Sequence, residues 1–469
     1  MGMALNGWLY TAAMAESTFA PSSQRFQWKL VLAGLLVTLA TTGSCDRKRP
    51  QIETDSANRS AGQNSGRVMA TDGGSQASQS KPHPAGKRSW LVVVAHEHES
   101  ATARYLPLRI VDPAARGSDL RAGTPIEHAA IELANWPGHY NSQAAQDSNG
   151  AILVVGHPGA KSGGTGNQTS SPAWQVTRHD LAAGSQRDIA IDAEPTALHL
   201  HGEQLYVGAG HRVGHVDLRA SQPRFTVIHE RPDLRYKAFD LFVRHDDWLI
   251  AIDDEVFPLY ADSFELADGK PPVHRGGWDL PSVINGHYDM AALLPGQNTG
   301  NGTIFLVASY GILSGDGYDL IGLPVRDHKL IAPDDFVLQN REASQPAVLE
   351  EHNGRGGSQP DKLLAGTNFT PWSGLALVRS GASAMLAIAV GQRGIFLVPG
   401  DFTMSSKVTQ VDTGGQCFDV LADGSDTLHA LVKKNGASTT TVVTMQFTPS
   451  TLTVVSEHSL PAMYHRFVR

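Results

Sequence analysis

The chain has almost no cysteine. Its 469 residues include only Cys45 and Cys417, too few for a disulfide framework and too far apart for a thiolate metal site. Cys417 reads as a small buried apolar residue. An excess of charge of one sign is also lacking: 38 Lys+Arg stand against 46 Asp+Glu, for a net charge of −8. No Lys/Arg cluster reaches the density that nucleic acid demands, so DNA and RNA are not expected partners. Several chemical signatures are missing. There is no G-x-S-x-G elbow and no H-E-x-x-H, and no GK[ST] follows the glycine-rich stretch near residue 355. Covalent catalysis, helix-borne zinc chemistry and P-loop phosphate binding are therefore without a motif. Long apolar runs are missing too, apart from one short run near the N-terminus. What is plentiful is turn chemistry: 47 Gly and 26 Pro separate many short apolar runs, a pattern of strands and turns rather than long helices.

Arg25 and Lys29 precede the apolar run at 30–40 (LVLAGLLVTLA), and small residues follow it. Basic, then apolar, then small is the order of an export signal. The run falls short of the roughly 20 residues that span a bilayer, which sets a permanent transmembrane helix behind that reading. Met14 is an alternative start that shortens the segment before Arg25. Thr42-Gly43-Ser44-Cys45 resembles a bacterial lipobox, although Thr42 stands where that family usually has Leu. The resemblance implies a signal segment at 1–44 and acylation of Cys45. The alternative is a non-lipid signal cut near Gly43 or Ser44. Several acyl chains on Cys45 would anchor the protein stably, whereas one would not. Residues 46–87 are rich in Ser, Gly, Asn and Gln with hardly any bulky apolar side chain, so they cannot bury a core. They read as a flexible tether spanning about 35 Å. The expected location is the bacterial cell envelope, facing the periplasm or the outside, with the membrane as a partner through the anchor.

From residue 88 to 469 a unit recurs: short strand, turn, apolar strand, then two amphipathic strands. The clearest copy runs through Ala197-Leu198-His199-Leu200, Leu205-Tyr206-Val207-Gly208, Gly214-His215-Val216-Asp217-Leu218 and Phe225-Thr226-Val227-Ile228. Its middle resembles the LVIVD-type propeller repeat, with Leu205-Tyr206-Val207 and His215-Val216-Asp217-Leu218 in the matching places. His215 departs from that family's apolar residue. The resemblance covers one repeat and implies architecture, not activity. Other units align on Tyr140-Asn141, Phe239-Asp240, Tyr288-Asp289, Trp372-Ser373-Gly374 and Phe418-Asp419. Their spacing of about 43 to 56 residues, with one step of about 85 that must hold an insertion, is that of propeller blades. Each unit continues into a strand apolar on both faces, such as Trp248-Leu249-Ile250-Ala251-Ile252 or Leu386-Ala387-Ile388-Ala389-Val390, as a strand packed between neighbouring sheets should be.

Trp90-Leu91-Val92-Val93-Val94 reads as a second strand with no first strand before it, while residues 463–468 are a spare strand after the last unit. Joining the two gives an all-β propeller of seven blades, closed by its C-terminal strand in the first blade, with no sheet edge left open. Six blades, or a pair of β-sandwiches, are the competing folds.

Hairpin geometry puts first-strand starts and second-strand ends on one propeller face. That face collects Asn141, Asp240, Asp289 and Asp419, together with His96, Glu97, His98, His157, His211, Asp253, Asp254, Glu255 and Tyr310. Asp240, Asp289 and Asp419 are the candidate metal ligands; oxygen donors suit Ca²⁺ and imidazoles suit a transition metal. Against these readings, an Asp beside an aromatic in every blade serves to fix a turn by accepting backbone N–H groups. His96 and His98 equally suit a solvated loop, Asp253-Asp254-Glu255 an exposed turn, and His199 and His201 ordinary channel lining. The insertion, with its loop at 351–358, reads as a lid or an unstructured segment. Two functions follow. One is a membrane-tethered binding or scaffold module for a protein or small-molecule ligand, needing no cofactor. The other is a metal-dependent hydrolase or lactonase-like propeller with a divalent ion at the channel mouth.

Overall fold

The computed structural model describes residues 88–469 except His98, His328, Ser425 and the segments 113–118, 133–136, 160–173, 192–193, 232–238, 246–247, 254–259, 268–270, 280–285, 296–299, 311–316, 331–346, 353–371, 381–382, 401–407 and 449–450. The signal segment, Cys45 and the tether lie outside the described residues, as do His98, Asp254 and Glu255. The described residues form strands and turns and contain no helix.

Among the described residues the strands build seven antiparallel blade sheets and one separate two-stranded sheet. Blade 2 runs Gln143–Gln146, Ile152–Pro158, Trp174–Asp180, Ser185–Ile191, and blade 3 runs Ala197–His201, Gln204–Ala209, Arg212–Asp217, Thr226–Glu230. Blade 4 runs Phe239–His245, Trp248–Asp253, Tyr260–Glu265, Val273–Asp279. Blade 6 (Trp372–Ser380, Ser383–Val390, Ile395–Pro399, Thr409–Val411) and blade 7 (Gly415–Asp423, Thr427–Lys434, Thr441–Thr448, Thr451–Ser459) follow the same order. In blade 5, Gly286–Pro295, Gly302–Tyr310 and Gly317–Arg326 are followed by an outer strand in two pieces, Lys329–Leu330 and Ala347–His352. The expected insertion thus begins inside a sheet: Glu351 and His352 end a strand instead of opening a loop.

Blade 1 carries the closure. Trp90–Ala95 pairs on one side with Thr102–Ile110 and on the other with Arg466–Phe467, Val93 facing Phe467 and Val94 facing Arg466. His465 N–H to Val94 C=O (3.0 Å) and Val468 N–H to Val92 C=O (2.8 Å) extend the ladder. The fold is a closed seven-bladed propeller, which removes the six-bladed and sandwich alternatives.

Each second strand packs against both neighbours, which is why its residues are apolar without alternation. Leu91 and Val93 join Leu421, Leu431 and Val442 of blade 7, while Val92 and Val94 join Leu153 and Val155 of blade 2. Equivalent clusters join blades 2 and 3, 3 and 4, 4 and 5, 5 and 6, and 6 and 7. Cys417, fully buried, lies in the last of these.

The recurring aromatic–Asp step has a structural explanation. In blades 4, 5, 6 and 7 the ladder between first and second strands slips at Phe239/Leu241, Tyr288/Met290, Trp372/Gly374 and Cys417/Asp419. An extra residue there makes a β-bulge, which bends the strand as it enters the ring. Tyr140-Asn141 does not take the equivalent place in blade 2. It pairs with Ile131–Glu132 in a separate hairpin, braced by Gly138 N–H on Glu132 Oε1 (3.0 Å), and blade 2 starts two residues later at Gln143.

Candidate functional site

The strand register brings first-strand starts and second-strand ends together: Phe239 faces Asp253, Gly286 faces Tyr310, and Gly415 faces Lys434. Asp240 and Asp289 sit at the bulges near this end of blades 4 and 5. For Asp240, Asp253, Asp289 and Tyr310 the structure describes the backbone only.

Asp419 is 0% exposed and already engaged. Its carboxylate accepts the N–H of Phe467 (2.8 Å), the N–H of Val420 (2.8 Å), and both terminal nitrogens of Arg469. It works as the post to which the C-terminal strand is tied. Its partners are all donors, so no lone pair is left aimed at an ion.

His96 follows the second strand of blade 1, its Nε2 3.0 Å from the carbonyl of Ser100. His465 stacks edge-on against Phe418 at 5.3 Å. Burial lowers both imidazoles below the ordinary histidine value; on His96 the hydrogen bond to Ser100 pulls up against it and the charge of Arg466 adds a lesser downward push, while on His465 the charge of Arg466 comes next after burial. His211 sits in the turn after the second strand of blade 3 with Glu230 Oε1 at 3.1 Å. Asn141 belongs to the separate hairpin just described.

His157 lies within the second strand of blade 2 and joins a cluster that the sequence does not announce. Its ring stacks on His128 (4.8 Å, 27°), and His128 Nε2 is 2.8 Å from His179 Nε2. His157 Nε2 contacts Thr177 Oγ1 at 2.7 Å, and Thr177 donates to Asp188 at 2.7 Å. His128 comes from Ile126–Ala129, which with Leu120–Ala122 forms the outer strand of blade 1 in two pieces, and the others come from blade 2. Burial, then the neighbouring imidazoles, pushes His128 down to about 4. At the inner strands of blades 3 and 4, His201 contacts Arg244, and burial with that arginine's charge pushes His199 down to about 3.

A second cluster closes the outer end of the interface between blades 3 and 4. His229 comes from the outer strand of blade 3, and Asp262 and His274 from the third and outer strands of blade 4. The two imidazoles stack at 4.0 Å and 20°, with Phe264 against both. Asp262 is 1% exposed; its Oδ1 is 2.9 Å from His274 Nε2 and its Oδ2 is 3.4 Å from His229 Nε2. Burial pushes the Asp262 carboxyl up, but the polar hydrogens and charges of His229, His274 and Arg231 outweigh it and hold the group below the ordinary carboxylate value. These three side chains are the His/Asp group able to hold a metal ion among the described residues. Sequence spacing could not find it, because the donors are far apart in the chain and on two sheets. The one available signal was a carboxylate in the middle of a third strand, where burial obliges it to have partners.

No family model matches the sequence, and no curated protein sequence matches it. Solved structures to which the chain is similar include a protein from Lactobacillus plantarum (10% identity, TM-score 0.47, covering 81% of this chain and 100% of that one). The periplasmic gluconolactonase of Pseudomonas aeruginosa is another, at 12% identity and TM-score 0.44 over 81% of this chain and 99% of that one. The Dos1 propeller is a third, at 8% identity and TM-score 0.39 over 70% of this chain and 71% of that one. At these values the likeness says nothing of activity.

Proposed function

We propose that the chain is an exported propeller, held at the bacterial envelope by an acylated Cys45 and the tether at 46–87, whose loop-bearing face binds a protein or small ligand. The observation that carries this reading is the closure itself. All seven blade sheets reach four strands from residues 90–467. A closed ring is a rigid support for loops, and binding residues concentrate on loops held by such supports. On the face where second strands end, burial lowers the His96 and His465 imidazoles below the ordinary histidine value; the Ser100 carbonyl takes the Nε2 hydrogen of His96, which leaves its Nδ1 to accept from a polar ligand.

Cys45→Ser in the full-length chain should move the protein from the membrane to the soluble fraction; retention at the membrane rejects the lipid anchor. For the face, a ligand recovered from envelope extract on the wild-type chain should be lost on a His96→Ala, Tyr310→Ala double variant. Equal recovery on both rejects that face as the binding surface.

A further inference from the structure

We propose that His229, Asp262 and His274 form a divalent transition-metal site, of the zinc, cobalt or nickel class, that pins the outer edges of blades 3 and 4 together. The argument starts from polar atoms the protein leaves unsatisfied. Asp262 Oδ2, His229 Nε2 and Arg231 Nη1 are each buried without a hydrogen-bond partner, although Oδ2 lies 3.4 Å from the first nitrogen and 3.6 Å from the second. A buried carboxylate oxygen held only by these two longer ion-pair contacts is poorly satisfied, which leaves it available to a closer ligand.

The donor chemistry selects its class. One donor atom from each of the three side chains lies within 4.8 Å of the others. Bonds of about 2.0–2.2 Å to nitrogen and oxygen place tetrahedral ligand atoms roughly 3.3 Å apart. Each imidazole is already near that distance from one oxygen of the carboxylate, His274 Nε2 at 2.9 Å from Oδ1 and His229 Nε2 at 3.4 Å from Oδ2. Two imidazoles with one carboxylate favour zinc and its transition-metal neighbours over calcium or magnesium, which prefer all-oxygen shells.

Room for the carboxylate is built in. Gly277 faces Asp262 across the ladder, and a Cβ there would run into Asp262 Oδ1. On binding, the ion displaces the Nε2 hydrogens that His229 and His274 direct at Asp262: a neutral ring carries its proton on Nδ1 instead, and an imidazolium releases one to solvent. Arg231, its guanidinium held over the Tyr260 ring at 4.2 Å, stands beside the carboxylate as the charged neighbour. Three protein donors leave one coordination position for water or an anion, and the arginine's charge favours the anion.

The test uses the full-length chain, stripped with chelator and reloaded separately with Zn²⁺ and Co²⁺. Elemental analysis should find one equivalent of metal. Co²⁺ should give the strong visible bands of a tetrahedral site, and excess Zn²⁺ should raise Tm by about 3 °C at a hundredfold excess over Kd. His229→Gln and His274→Gln, whose rings are partly exposed, should each reduce bound metal below about 0.1 equivalent with the fold intact by circular dichroism. Asp262→Asn should do the same, and the two histidine variants decide the matter if that chain fails to fold. Asp240→Ala and Asp289→Ala should leave the metal in place. No stoichiometric metal in the wild type overturns the proposal. So does metal that survives both histidine changes, or that is lost with Asp240 or Asp289 instead. Membrane anchoring and face binding are untouched by any of these outcomes.

Discussion

A carboxylate with no exposed surface has to be explained by what it touches, and Asp419 touches the end of the chain. It accepts the backbone N–H of Phe467 and the guanidinium of Arg469, so one side chain fixes both the strand that closes the ring and the residue after it. Bonds to a charged acceptor contribute more than neutral ones. Asp419→Ala is expected to cost about 3 kcal/mol, measured as a lowered denaturant midpoint with unchanged slope; a midpoint equal to the wild type's would remove Asp419 from the closure. Gly374 belongs to the same contact, because a Cβ there would meet the Asp419 carboxylate and the Val420 backbone. The Phe-Asp pairing is visible in the sequence, and so is its recurrence. That this copy is a structural post, with Arg469 as its partner some fifty residues away, is not, because the pairing exists only once the ring has closed.

At the level of strands, the closing segment is short. Arg466–Phe467 is paired over two residues, with His465 and Val468 adding one bond each, yet it covers the edge of Trp90–Ala95, whose centre is fully buried. Removing residues 463–469 should bare that edge, lower the thermal midpoint and produce concentration-dependent aggregation, visible by size-exclusion chromatography. A truncated chain that stays monomeric with the same midpoint would show the closure to be dispensable. This element was legible by counting: one unit lacked a first strand and one strand was left over. The second strands were legible because burial on both faces makes them continuously apolar. The first strand of blade 2 was not, since Tyr140-Asn141 matches the Tyr288-Asp289 step in sequence but is captured by a local hairpin with Ile131–Glu132. Nor was the division of the outer strand into two pieces in blades 1 and 5, because outer strands carry little apolar signal.

Across the whole molecule, histidines recur where blades meet. Those whose values are shifted are shifted down, and burial is the leading cause each time: His128 to about 4, His199 to about 3, and His96, His179, His215 and His465 in the same direction. A histidine whose folded value lies below its unfolded value of about 6.5 takes up protons on unfolding. The unfolded state therefore binds more protons between pH 6.5 and pH 4, and stability must fall as pH drops through that window. Denaturant midpoints at pH 7, 5.5 and 4.5 should decline in order, with a weaker slope in His128→Gln; a flat profile would mean that these imidazoles are hydrated rather than buried. The sequence by itself determined the two-faced second strands and the spare terminal strand and favoured seven blades, because periodicity and burial are local properties that a linear pattern records; the closed ring decided seven over six. Only the tertiary structure decided which side chains meet, drawing His229 to Asp262 and His274, and His157 to His128 and His179. Those contacts form between strands of one sheet or of neighbouring sheets, where distance along the chain no longer measures distance in space.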